Sequence, residues 1–257
     1  MNFRVNWVSF VTIFRKEVVR FTRIWLQTLL PPAITMTLYF VIFGNLIGSR
    51  IGEMDGQPYM RYIVPGLIMM SIITSSFANV VSSFYSTKFH RSIEEIMVSP
   101  TSSLTLLLGF VCGGISRGLL VGIIVMLIAL LFTDLSVHNW AITCYVAIIT
   151  AALFATAGLI NGVFANSFDD ISIVPTFVLT PLTYLGGVFY SVSMLPEFGQ
   201  VASLFNPIFY VVNSFRYGII GISDTDVTSS IGLLTLLFLI VFSYAWWILA
   251  KGIGIRS

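Results

Sequence analysis

At 257 residues, 57% hydrophobic and only 9% charged, with a mean hydropathy of +0.95, the chain lacks the polar surface of a water-soluble domain, in which about 25% of residues are charged. A net charge of +2 is too small to point to a nucleic-acid partner, and Cys112 and Cys144 sit in apolar runs that suit small buried hydrophobes, with no disulfide framework implied. The composition is that of an all-α integral membrane protein, and the basic start shows no small-residue cleavage site of a signal peptide.

Residues 3–23 come first and differ from the rest of the chain. Phe3, Trp7, Phe10, Phe14, Val18, Phe21 and Trp25 recur at helical spacing and form one narrow stripe, while Arg4, Arg15, Lys16, Arg20 and Arg23 lie off it. That pattern predicts a helix lying in the headgroup layer, aromatic side toward the acyl chains and basic side toward lipid phosphates.

A transmembrane helix needs about twenty mainly apolar residues. Six stretches qualify: 24–47, 62–87, 104–132, 139–165, 171–190 and 230–250. With the N-terminus inside, Arg4, Arg15, Lys16, Arg20, Arg23, Lys88, Arg91, Lys251 and Arg256 fall on the inner side, against Arg50, Arg61 and Arg216 outside. Positive charge favours the cytoplasmic side, so both termini are expected in the cytoplasm. The first three spans do not echo the last three, which argues against an inverted-repeat carrier.

The span over 62–87 carries Ser71, Ser75, Asn79, Ser82 and Ser83 at helical spacing. Two readings apply, a polar pathway along this helix or hydrogen-bonded packing between helices. Next comes a short charged loop over 88–100, in which His90, Arg91, Glu94, Glu95 and Met97 fall on a short helix that Ser99-Pro100 ends. A mixed-charge helix on the cytoplasmic face is either a docking element or a solvated loop.

In the third span, Gly109–Gly113 and Gly114–Gly118–Gly122 form small-xxx-small steps, and the fourth adds Ala151–Ala155 and Gly158–Gly162. Such steps read chiefly as close helix packing. Arg117 lies in a stretch too long for one crossing. Either it sits at depth and pairs with Asp169 or Asp170, or residues 101–113 lie along the interface and Arg117 is near the inner surface; the second account is preferred.

Gly114-Ile115-Ser116-Arg117-Gly118 matches the G-x-S-x-G nucleophile pattern, but His90 and His138 lie in or beside loops, so no base is at hand for a serine hydrolase. The same scarcity of His and Cys leaves no metal site. Lys16, Lys88 and Lys251 follow Arg15, Thr87 and Ala250, so no Gly-Lys-Ser/Thr phosphate loop exists. Energy from ATP would have to come from another protein.

The stretch from Asp169 to Gly221 is the most unusual. Pro175 and Pro181 interrupt its first apolar run, Gly186-Gly187 end it, and a region with Pro196, Asn206, Pro207 and Arg216 comes next. Broken helices persist in lipid only where protein or a water-filled cavity covers them. Here Val174–Pro196 and Asn206–Gly221, with Tyr62-Ile63-Val64-Pro65-Gly66, resemble a bacterial permease subunit of the ABC-2 type transporter family over essentially the full chain.

The resemblance implies a six-span exporter subunit of a bacterial inner membrane that pairs with a second copy of itself. It implies a separate ATP-binding-cassette subunit that binds the ATP and Mg, this chain holding no cofactor. Residues 3–23 correspond to the family's interfacial helix, 88–100 to its coupling helix and 192–221 to its outer re-entrant region, which contains Pro196, Asn206, Pro207 and Arg216. Surrounding lipid is the other expected partner. A secondary transporter and a structural membrane protein without an ATPase are the alternative readings.

Overall fold

The computed structural model describes residues 3–254; Arg256, one of the inner basic residues, lies outside that range. Most of the described residues are helical. Helix α1 (Phe3–Arg23) leads through α2 (Trp25–Thr28) into α3 (Leu30–Tyr39), which continues as a π-helical segment, Phe40–Ile47, into α4 (Gly48–Ile51). A two-residue-per-strand hairpin, β1 (Glu53–Met54) and β2 (Gln57–Pro58), precedes α5 (Tyr59–Phe89). Next are α6 (Ser92–Val98), α7 (Ser103–Ala129) and α8 (Trp140–Phe164).

Then come α9 (Asp170–Val174), a π turn over Pro175–Leu179, and α10 (Thr180–Tyr184). The chain ends with α11 (Glu197–Leu204), α12 (Pro207–Ile220) and α13 (Val227–Lys251). Among the described residues, five stretches are long and apolar enough to cross a bilayer: Trp25–Gly44, Tyr59–Phe89, Ser103–Ala129, Trp140–Phe164 and Val227–Lys251.

The stretch expected as a span over 171–190 is different. Its helical rod stops at Tyr184, and Gly187 turns the chain with a φ of 71°. Within the rod, Pro175 and Pro181 have no N–H to donate. The register slips there to the longer π spacing, with the Thr180 N–H and hydroxyl both donating to the Pro175 carbonyl. The rod nonetheless starts beside the C-terminal end of α5, where Tyr85 packs on Phe168, and finishes near the start of α5, where the Tyr59 hydroxyl donates to Phe189 O.

Helix α5 is the axis of the molecule. It is buried along most of its length, with Tyr62, Ile63, Val64, Leu67, Met69 and Ile73 wholly covered. The glycines of α7 and α8 account for this. A Cβ on Gly158 would fall 2.6 Å from Phe77 O and one on Gly162 3.3 Å from Val81 O, so the α8 backbone rests on that of α5. Gly114 meets Val80 and Ala155 at 2.5 and 2.8 Å, Gly118 meets Ser76, and Gly122 meets Ile72. With no large hydrophobic driving force between helices in lipid, packing of this closeness holds them together.

Helix α7 is continuous from Ser103 to Ala129, so the separate interfacial segment expected over 101–113 does not form. Instead α1 lies against that half of α7, with Ile13 over Gly109 and Glu17 over Gly113. The end of the bundle that holds α1 also holds α6 and the far end of α13, where Gly254 touches Val163.

We expect Gly158→Ala to destabilise the protein by about 1–3 kcal/mol, because the added methyl meets backbone that cannot turn aside. Chemical unfolding in detergent, compared with Gly232→Ala, where a Cβ meets nothing within 4 Å, measures this; equal stability of the two variants would refute the close-packing account.

Candidate functional site

Three groups of polar residues stand out from the apolar bundle. The first is the end carrying α6. Arg91 adopts a left-handed conformation (φ 57°), which turns the chain sharply between α5 and α6. Ile93 is buried and anchors α6, while Glu94 and Glu95 occupy its first turn, where the helix dipole favours them. His90, Arg91, Glu94 and Glu95 are exposed together; Met97 shares the helix, its side chain lying outside the described ones.

This exposed element is firmly braced. Ser92 Oγ donates to Thr87 O at 3.1 Å, and Ser99 Oγ to Ile96 O at 2.6 Å. Lys88 Nζ donates to Val163 O and Ala165 O at 2.7 and 2.9 Å, capping the last turn of α8. Tyr85 donates to Asn166 O at 2.9 Å. Across the bundle, Ser9 bonds Thr101 and Asn6 Oδ1 accepts from the Ser102 N–H. Helix α6 itself is seated on α5, and the segments on either side of it are tied to α8 and α1.

The second group lies between α1, α5 and α7. Glu17 is fully buried, pairs with Arg20 at 3.1 Å and accepts from Ser83 Oγ at 2.5 Å. Arg20 also donates to Asn79 Oδ1 and Asn79 O, at 2.8 and 2.9 Å. Arg117 donates to Thr28 O at 3.2 Å, where the chain bends between α2 and α3. Its expected partners are elsewhere: Asp170 accepts from the Asn166 and Ser167 N–H groups and closes the α8–α9 turn, and Asp169 only starts α9.

The serine–asparagine stripe is split by this arrangement. Asn79 and Ser83 serve α1, Ser71 is buried and bonds Leu67 O, and Ser75 is buried. Ser82, half-buried, bonds Ala78 O. What α5 leaves partly open is a different line: Met70, Thr74, Ala78 and Ser82, one per turn.

Glu17 escaped the sequence reading. Its signal was an acidic residue flanked at helical spacing by Ile13 and Phe21, the two positions that α1 also buries. The Gly114–Gly118 motif lies wholly inside α7, with Ser116 Oγ bonded to Cys112 O, so no strand-to-helix nucleophile corner is present there.

The third group lies at the opposite end. Asn206 caps α12: its Oδ1 accepts from Ile208 N–H at 3.0 Å, its amide donates to Leu182 O at 2.7 Å, and Pro207 fills the first helical position. Pro196 similarly opens α11, its carbonyl accepting from Gly199 N–H at 2.7 Å.

Arg216 is 1% exposed. It donates to Gly187 O at 2.5 Å, lies 4.0 Å from the centre of the Tyr62 ring and faces Asp224 at 3.5 Å. Burial pushes the Asp224 carboxyl above the usual carboxylate range, and Arg216 opposes that shift. Asn213 closes the loop after α12 by bonding Thr225, Ser223 and Asp224 N–H. Beside these residues is a cavity of about 680 Å³ lined by Asp55, Ser193, Glu197, Gln200, Phe209 and Asp224 among others. No cluster of metal-ligating side chains occurs among the described residues.

An apolar bundle with an exposed charged helix at one end and a broken, proline-rich element reaching the other has the architecture of a polytopic membrane protein. The chain belongs to the ABC-2 type transporter family, whose model matches residues 8–220. It is 55% identical over 251 residues to the inner membrane transport permease YadH of Escherichia coli strain K12, covering 98% of each chain. It is 23% identical over 242 residues to nodulation protein J of Rhizobium leguminosarum bv. trifolii, covering 93% of this chain and 90% of that one.

Arg216→Met should destabilise the fold by about 1–3 kcal/mol, since it removes the buried guanidinium's bond to Gly187 O and leaves the partly exposed Asp224 carboxylate without its cation. The double variant with Asp224→Asn should recover part of that loss. Unfolding midpoints of both variants in detergent test this; no recovery in the double variant would remove Asp224 as the partner that matters.

Proposed function

We propose that this chain is the membrane-spanning subunit of an ATP-driven exporter in a bacterial inner membrane. Two copies enclose the pathway, and each docks a separate ATP-binding-cassette subunit on α6. The observation that carries this reading is the exposed His90–Glu95 face on a short helix seated on α5, with the flanking Lys88 and Ser102 bonded to α8 and α1, in a chain that has no phosphate-binding loop of its own. ATP and Mg are bound by the partner.

The basic residues of α1 and the α6 turn put that end in the cytoplasm, with both termini there. The rod of α9, the π turn and α10 makes the sixth crossing, short and adaptable because its register is already slipped at Pro175–Leu179. The segment 192–221, with Pro196, Asn206, Pro207 and Arg216, is the outer re-entrant region.

The pathway runs along the open line of α5, Met70, Thr74, Ala78 and Ser82. Of the stripe Ser71, Ser75, Asn79, Ser82 and Ser83, Ser82 faces it directly and the others hold the wall behind. ATP-driven closure of the partner subunits pushes α6, and the brace through Lys88 and Tyr85 carries that push to α8 and the start of α9.

The test is purification of the tagged chain from its native host in mild detergent, with mass spectrometry of the co-purifying proteins. An ATP-binding-cassette protein at roughly equal abundance is expected. In the double variant Glu94→Lys, Glu95→Lys its recovery should fall about tenfold while the permease stays folded and loses no more than about 1–2 kcal/mol, the helix-dipole contribution of two exposed side chains. Full retention of the ATPase by that variant would end the docking assignment.

A further inference from the structure

We infer that the elbow between α1 and α2 holds a specific site for the headgroup of an anionic phospholipid, with Arg20 and Arg117 as its phosphate ligands and Arg23 at its mouth. The inference starts from a charge imbalance. Around the buried polar cluster, two guanidinium groups face one carboxylate among the described residues, and Glu17 is already committed to Arg20 and Ser83.

Helix alignment brings the two cations together. Glu17 rests over Gly113, so the next turn of each helix places Arg20 beside Arg117, close enough for their charges to interact. Arg117 has a single carbonyl partner, Thr28 O. The Nε atoms of both arginines are covered and have no hydrogen-bond partner, as does the amide nitrogen of the fully buried Asn79. Two forked cations with donors to spare and one anion too few make a receptor for a multidentate anion, and phosphate geometry matches the guanidinium fork.

The level of the site selects a lipid as the source. Arg61, bonded to Ser136 at the far end of α5, and Asn79 are separated along that helix by about 27 Å at 1.5 Å per residue. The hydrocarbon core of a bilayer is about 30 Å thick. If Arg61 marks one membrane surface, Asn79 and the Arg20 that grips it lie at the phosphate level of the other, the cytoplasmic one in the proposed orientation. Directly after Arg23, the exposed Ile24, Trp25 and Leu26 provide an apolar ledge for the acyl chains, with Trp25 in the residue class that anchors at that level.

Two carbonyls at the elbow are partly neutralised, Phe21 O in the last turn of α1 by the Thr28 hydroxyl and Thr28 O at the end of α2 by Arg117. The helix end therefore repels an anion less than a bare terminus would. A lipid seated here would tie α1 to α7 beside the first span, at the same end of the bundle as α6.

The experiment is native mass spectrometry of the purified chain, delipidated and then offered dioleoylphosphatidylglycerol or dioleoylphosphatidylcholine. We expect the wild type to retain phosphatidylglycerol preferentially, Arg117→Gln to lose about tenfold in retention, and Arg117→Lys to keep part of it. Arg15→Gln, which removes the same charge from an exposed position of α1, should retain lipid like the wild type, and excess inorganic phosphate should not displace it. Equal binding of the two lipids, equal losses from Arg15→Gln and Arg117→Gln, or displacement by inorganic phosphate would each overturn the site. Arg117→Lys carries the test if the glutamine variant fails to fold. No ATPase is required, so the result stands apart from the fate of the exporter reading.

Discussion

Close approach of backbone to backbone is the constraint on which this molecule depends. Inside a bilayer, lipid tails are as apolar as leucine, so helices gain little by merely hiding hydrophobic surface from their surroundings. What distinguishes the native arrangement is that glycines on α7 and α8 let those helices touch α5, as at Gly158 against Phe77 O and Gly114 between Val80 and Ala155. Once that three-helix core is set, α12 is held by its end. The N–H groups of His138 and Asn139, in the α7–α8 link, donate to Ile219 O and Gly218 O at 3.0 and 2.8 Å.

The same constraint explains how the polar residues are handled. A charge that cannot reach water must find its partner within the fold. Arg216 does so with Gly187 O, the Tyr62 ring and Asp224, each from a different element. It thereby joins α12 to α5, to the Gly187 turn and to the loop before α13. Glu17 and Arg20 do so with Ser83 and Asn79, joining α1 to α5. These bonds bridge elements far apart in sequence, and the two groups sit toward opposite ends of α5.

Between those fixed ends, the element from α9 to α10 is the least committed. Its prolines deprive it of regular hydrogen bonds, and Ile173, Phe177 and Leu185 are exposed while Leu179 is buried in the core. At one end Phe168 packs on Tyr85 and Phe89; at the other Tyr184 stacks on Phe189 and lies 3.4 Å from the Tyr39 hydroxyl. This element is thus held by aromatic contacts at both ends and irregular between them, whereas α5, α7 and α8 are regular helices.

Much of this was legible in residue order alone. Composition required a membrane, runs of about twenty apolar residues marked the long helices, and the glycine steps of the third and fourth spans marked where helices would touch. The charged stretch after Thr87 marked a polar helix and Ser99-Pro100 its end. Each of these is a local property, fixed by which side chains sit within a turn or two of one another. Partnership across the bundle is not. That Asn79 and Ser83 serve Arg20 and Glu17, that Arg117 turns to Thr28 O while Asp170 closes its own turn, and that α7 runs unbroken past Gly113 all depend on which helix lies alongside which. Hydrophobic periodicity gives a helix its apolar side but does not name the neighbour, because in lipid that side is satisfied by acyl chains as well as by protein; only the packed structure decides between them.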